Sequence, residues 1–313
     1  MEIDGTAGRW TRRSFVGMAG AAAAGAQADL WPIGILVATT YRTGSLEERL
    51  DAVKADGLAH VQLGLACLGL PDVVEALPAG LPERFGRAAA ERGLTIVSVQ
   101  GTFNMGHPDA EHRRAGLRGL RLLAESCEAM GTSVIHICTG TRNTESMWRR
   151  HPENGTPEAW RDMAACVREA AAIARDARVV LSFEPEVNNI VDSARKARRL
   201  LDETGSAHLK VTMDPANLFH AGQLPRMKEV LEEAFALVGR DLAQAHAKDL
   251  DRDGDAGHKA AGEGLLDYDL YLRLLRKYEF KGPLLLHGLS RAQVAGCVGF
   301  LRAKMARIAG ERV

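Results

Sequence analysis

Leu209-Lys210-Val211-Thr212-Met213-Asp214-Pro215 is a short run of mostly apolar and β-branched residues that ends in a carboxylate. The proline that follows cannot donate to a strand ladder, so the run reads as a strand stopped at an acid. The same shape recurs upstream in Val179-Val180-Leu181-Ser182-Phe183-Glu184-Pro185. With histidine in the terminal place it recurs again in Leu242-Ala243-Gln244-Ala245-His246 and in Leu284-Leu285-Leu286-His287. Working outward, the runs Ile33 to Ala38, His60 to Leu65, Leu94 to Val99 and Ser133 to Cys138 complete a set of eight predicted strands, with Arg178 to Phe183, Leu209 to Met213, Leu242 to Ala247 and Pro283 to Leu286. Between them lie amphipathic patterns over Leu46 to Lys54, Glu111 to Met130, Pro157 to Asp176, Ser193 to Glu203, Arg226 to Val238, Tyr268 to Tyr278 and Ala292 to Ile308. Strands alternating with helices imply parallel βαβ units, and eight of them predict a closed α/β architecture, the (β/α)8 TIM barrel. Helices are expected to stop at Gly57, Gly93, Gly131 and Gly205, each just ahead of a strand. The stretch holding Pro71, Pro78 and Pro82 breaks the pattern and leaves the helix after the second strand weakly marked.

The 313 residues match the roughly 250 of one eight-fold barrel once a leader is set aside, so a single barrel domain over 29–313 is expected. Forty basic residues balance forty acidic ones, which removes the basic excess of a duplex-binding surface, so no nucleic acid partner is expected. Five scattered cysteines form no C-x-x-C pair and read as buried thiols. Residues 1–28 are a separate object. Thr11-Arg12-Arg13-Ser14-Phe15-Val16, a Gly/Ala-rich run and Ala26-Gln27-Ala28 resemble a Tat export signal cleaved before Asp29. That resemblance implies a periplasmic or exported protein. The mature chain is expected to have no membrane span, and a homo-oligomer stays open.

In such a barrel the chemistry gathers at the carboxyl ends of the strands. Glu184, Asp214, His246 and His287 all stand there, 30, 32 and 41 residues apart in turn, each step about one β/α unit. Two carboxylates at the mouth of an apolar barrel need a compensating cation, so the four are expected to bind one divalent ion. Two carboxylates with two imidazoles suit manganese, iron, cobalt or zinc better than calcium, with magnesium less favoured.

The elements Ser182-Phe183-Glu184-Pro185-Glu186, Met213-Asp214-Pro215-Ala216-Asn217, His246-Ala247-Lys248-Asp249 and Gly262-Glu263-Gly264 resemble the xylose isomerase-like sugar phosphate isomerase/epimerase family over about residues 32–308. The resemblance implies a TIM barrel, a divalent metal, often Mn2+, and ligands in the order Glu, Asp, His, Glu. Leu286-His287-Gly288 departs from it at the last ligand. The family's paired glutamates move a proton between two faces of the substrate, so His287 puts that symmetrical exchange in question. Glu184 is then expected as a catalytic base, with Lys248, Glu186 or His220 as acid partner. Family members also include lyases, dehydratases and enzymes of 3-keto-glycosides. Export suits a non-phosphorylated sugar or keto-glycoside. Asn104 and His107 after the third strand, Trp148 in the long fourth loop, Asn217 and His220 are the expected substrate contacts, with Trp160 a further indole. An endonuclease-IV-like hydrolase and a non-catalytic exported sugar-binding protein are the alternatives outside this chemistry.

Overall fold

The computed structural model describes residues 30–311. The leader expected over residues 1–28 lies outside them. Strands β1 (Ile33–Leu36), β2 (His60–Leu63), β3 (Thr95–Gln100), β4 (Val134–Cys138), β5 (Val180–Glu184), β6 (Leu209–Met213), β7 (Leu242–Asp249) and β9 (Leu284–Leu286) are all parallel neighbours. The ring closes where Ile33, Gly34 and Ile35 pair with Leu284, Leu285 and Leu286. This is the closed eight-stranded TIM barrel. A two-residue strand, β8 (Lys259–Ala260), folds back antiparallel on β7 at Lys248 and Asp249.

Helices α1 (Val37–Thr40), α2 (Leu46–Ala55), α3 (Leu81–Ala90), α4 (Ala110–Met130), α5 (Pro157–Ala177), α6 (Ala194–Thr204), α7 (Met227–Val238), α8 (Tyr268–Lys277) and α9 (Val294–Ala309) connect the strands. Local chemistry sets their ends. Ser45 and Glu48 form a capping box that satisfies two orphan donors of α2. Gly131 and Gly205 close α4 and α6 at φ +76° and +60°, the left-handed conformation that costs glycine nothing.

Several expectations shift. Val37 and Ala38 leave the first strand for the short α1. The proline-rich stretch does yield a helix, because Pro82 sits in the first turn of α3, where its missing N–H is no loss. Arg178 closes α5 at φ 59° rather than opening β5. All five cysteines are buried and unpaired. No helix among the described residues is long and apolar enough to cross a membrane.

The barrel interior is not uniformly apolar. Gln62, Ser98, His136, Ser182, Thr212 and Gln244, one from each of β2 to β7, are all buried. Ser98 Oγ donates to Gln244 Oε1 at 2.6 Å, Ser182 and Thr212 share a hydroxyl hydrogen bond of 2.6 Å, and Gln244 Nε2 donates to Thr212 Oγ1 at 3.4 Å. Ser98, Ser182, Thr212 and Gln244 satisfy one another and so hold a unique arrangement, while Gln62 Oε1 is left without a partner. With a period of two, the next inward residues toward the carboxyl ends are Glu184, Asp214 and His246.

Candidate active site

Each site residue is held by the turn that ends its strand. Asp214 caps the turn after β6: its Oδ1 accepts the Ala216 N–H at 3.0 Å. That turn brings Asn217 round so that its Nδ2 donates to Glu184 Oε1 and its Oδ1 accepts the Gly257 N–H at 2.9 Å. The D-x-x-N pattern is thus a device for joining two strand ends and the loop after β7. In the H-x-K-D pattern, Asp249 accepts backbone N–H groups from Leu250, Leu266 and Gly262 at 2.8, 2.9 and 3.1 Å, fixing the following loop. A Cβ at Gly264 would run into that same carboxylate, which explains the second glycine of G-E-G. Tyr271 Oη donates to the His246 carbonyl at 3.0 Å and Tyr268 Oη to the Lys248 carbonyl at 2.9 Å.

The four strand-end residues come together. His246 Nδ1 lies 3.4 Å from Asp214 Oδ2 and 3.6 Å from Glu184 Oε2, and His287 Nδ1 lies 4.0 Å from Asp214 Oδ2. Asp214 is fully buried and Glu184 nearly so, whereas the His287 side chain keeps 25% of its surface open toward the mouth. Lys248 Nζ reaches Asp214 Oδ2 at 3.1 Å from a site only 4% exposed. Burial, then the charge of Asp214, pushes the Glu184 carboxyl well above its ordinary range. Burial works the same way on Asp214, but Lys248 and His246 overcome it and hold that carboxyl low. Burial would lower the Lys248 ammonium, yet Asp214, Glu184 and Glu186 keep it above its usual value. Glu186, also buried, is pushed up to about 7, chiefly by burial.

His136 on β4 belongs to this cluster although it does not stand at a strand end. Its Nε2 is 3.6 Å from Glu184 Oε2, and its ring centroid is 5.4 Å from that of His246. Burial and the neighbouring His246 push it down to about 3, so it is neutral. The available signal was phase: Ser133-Val134-Ile135-His136-Ile137-Cys138 places a polar residue at an inward position. Two ligand triads result, His136/Glu184/His246 and Asp214/His246/His287, with ligand atoms within 4.8 Å of one another in each. His246 Nε2 and His287 Nδ1 are buried without a hydrogen-bond partner. His246 Nδ1, turned to both carboxylates, and the partnerless His287 Nδ1 near Asp214 make a donor set that fits a divalent metal.

The expected substrate contacts are placed differently. Asn104 Oδ1 accepts the Thr141 N–H at 2.9 Å and its Nδ2 donates to the Asn143 carbonyl at 3.1 Å, so its amide clamps two loops. His107 stacks on His112 at 4.0 Å and lines a 380 Å³ cavity with Val73, Phe103 and Met147. Met147 Sδ touches Cys138 Sγ at 3.8 Å, and Cys138 pairs in register with Glu184. His220 Nε2 is spent on the Asp192 carbonyl at 3.0 Å, and it lines a small cavity beside α6 and α7 whose walls include no residue of the cluster. Trp148 is exposed beside Asn188 and Asp255. Trp160 packs instead, donating to Glu203 at 2.9 Å under the Arg199 guanidinium.

A closed parallel barrel with buried acids and imidazoles at its carboxyl ends defines a class of TIM-barrel proteins. The chain belongs to the Xylose isomerase-like TIM barrel family, whose model matches residues 50–296. It is similar to the apo crystal structure of the 3-keto-D-glucoside 4-epimerase YcjR from E. coli, at 18% identity and TM-score 0.66, covering 87% of this chain and 99% of that one. A xylose isomerase-like TIM barrel protein from Mycobacterium smegmatis in complex with magnesium is 19% identical, with TM-score 0.66 and coverage of 89% and 97%. The IOLI protein with a bound zinc atom is 14% identical, with TM-score 0.68 and coverage of 90% and 100%. Likeness at these identities speaks for the fold. No curated protein sequence matches the chain.

Proposed function

We propose that the chain is an exported, divalent-metal-dependent enzyme that transfers protons beside a carbonyl on a non-phosphorylated sugar or keto-glycoside. The observation that carries this reading is the pair of triads His136/Glu184/His246 and Asp214/His246/His287, which share His246 at the barrel mouth, with the Lys248 ammonium 3.1 Å from Asp214. Glu184, Asp214, His246 and His287 would hold the ion, which when bound supplies a Lewis acid for the substrate's oxygen atoms. Manganese is our proposed ion; the magnesium and zinc in the two similar structures support a divalent metal in this fold.

Glu184, steered by Asn217, is aimed into the site and serves as the base. Glu186 lies on the loop that leaves β5, and a carboxyl held near neutral can both accept and return a proton. Lys248 donates to developing negative charge on the substrate. Trp148 and Asn188, on the rim, are offered as sugar contacts. The leader with Arg12 and Arg13 supports export, and the 3-keto-glucoside epimerase among the similar structures supports a carbohydrate substrate. Elimination from a 3-keto-glycoside is the second reading, favoured by one residue: His287 stands where the family's second glutamate would return the proton. A screen of glucosides and 3-keto-glucosides with the manganese-loaded chain tests both. Turnover abolished by chelation and by Glu184→Gln is expected. Turnover that survives both would overturn the proposal.

A further inference from the structure

His136 is tied at one ring nitrogen and bare at the other. Nδ1 lies 3.2 Å from Thr212 Oγ1, and that hydroxyl is itself bound to Ser182 at 2.6 Å and to Gln244 at 3.4 Å. Nε2 faces Glu184 Oε2 at 3.6 Å, beyond hydrogen-bonding distance for a well-formed pair. In the tautomer that donates from Nδ1 to Thr212, Nε2 turns its lone pair toward the Glu184 carboxylate, an arrangement that a cation between them would relieve. A ring fixed through one nitrogen by a hydrogen-bonding partner, with the other turned to a carboxylate, is the usual posture of a metal-ligating histidine. Bonds of about 2.1 Å to one ion leave ligand atoms roughly 3–4.2 Å apart. The His136–Glu184 and His246–Glu184 separations of 3.6 Å, the His246–Asp214 separation of 3.4 Å and the His287–Asp214 separation of 4.0 Å fall in that span.

We propose that His136 is itself a ligand, acting with Glu184 and His246 in the first of the two triads, so that the metal site of this chain draws on three imidazoles, His136, His246 and His287, with the carboxylates of Glu184 and Asp214. This rests on the metal-dependent reading above and deepens it. Three nitrogen donors turn the site toward transition metals and away from magnesium, which prefers oxygen. The Thr212, Ser182 and Gln244 cluster beneath is then the support that sets the His136 ring, and the polar barrel interior has a purpose.

The test is metal binding, independent of any substrate. Manganese, cobalt and magnesium are titrated into the chelated full chain, its His136→Ala and His136→Gln variants, and pulsed EPR of the manganese forms counts coordinated imidazole nitrogens. Removing a ligand should weaken manganese by about tenfold or more, since even outer partners are worth 10–100-fold. The imidazole count should fall by one, and the preference for cobalt over magnesium should narrow. His136→Gln keeps the volume and a donor for Thr212, and its metal-free melting temperature shows whether the barrel is intact. Equal affinities and an unchanged imidazole count in an intact variant would overturn the role of His136 alone. Absence of binding to the wild-type chain would overturn the metal-dependent reading together with it.

Discussion

Replacing Lys248 by methionine keeps the apolar stem and removes the charge from the middle of the site. The ammonium is 3.1 Å from Asp214 Oδ2, and both side chains are buried. At an effective dielectric of about 20 that separation corresponds to roughly 5 kcal/mol of attraction. Burial has already cost much of this, and what the variant exposes is the penalty of leaving Asp214 uncompensated beside Glu184 and Glu186. Breaking one side of such a pair costs about 3–5 kcal/mol, or roughly 6–15 °C in melting temperature for a chain of this size. The assay is urea denaturation of the chelated proteins at pH 7.5. Adding a divalent ion should recover much of the loss, because the ion supplies the missing positive charge. Lowering the pH should recover part of it by protonating the carboxyls. A loss below about 1 kcal/mol, insensitive to both metal and pH, would refute the electrostatic account of this site.

Glu186→Gln should make the chelated protein more stable at pH 8 and leave it unchanged at pH 4. The folded-state value of about 7 lies above the ordinary 4.5, so the folded form holds an extra proton between them and loses stability as the pH rises through that window. The expected gain at pH 8 is at most roughly 3 kcal/mol. His136 and His287 are shifted down and act in the opposite sense, so the readout is the wild-type-minus-variant difference across pH. Asn104→Ala should cost about 1–3 kcal/mol by freeing the Thr141 N–H and the Asn143 carbonyl, measured by thermal unfolding; an unchanged melting temperature would return Asn104 to the substrate contacts. Asp249→Ala strips acceptors from three backbone N–H groups and should open the loop after β7 to proteolysis while the barrel stays folded.

The barrel was legible because its signals are local and repeat. Asp214-Pro215 and Glu184-Pro185 mark strand ends by the backbone chemistry of proline, and the glycine stops mark helix ends by φ. Glu184, Asp214, His246 and His287 could be grouped from one-unit spacing, since a barrel converts spacing into convergence. His136 is not marked this way because it stands one pleat below its strand end at Cys138, where a barrel interior also presents side chains to the site. The contacts of Asn104, Trp160 and His220 were illegible for another reason. Each is decided by a partner far along the chain, namely Thr141 and Asn143, Glu203 and Arg199, and Asp192. A loop residue's type shows that it can bond, and the fold alone decides with what.

Solvent proton exchange is the most direct test of the proton-transfer reading. The chain is incubated in deuterated water with methyl 3-keto-glucoside, once chelated and once reloaded with manganese, and the ring protons beside the carbonyl are followed by NMR. One ring-proton signal should be lost at a rate above the buffer background only in the reloaded sample, and none with Glu184→Gln. Exchange equal to background in the reloaded wild type, or exchange in the chelated or Glu184→Gln sample as fast as in the reloaded wild type, would contradict the proton-transfer reading.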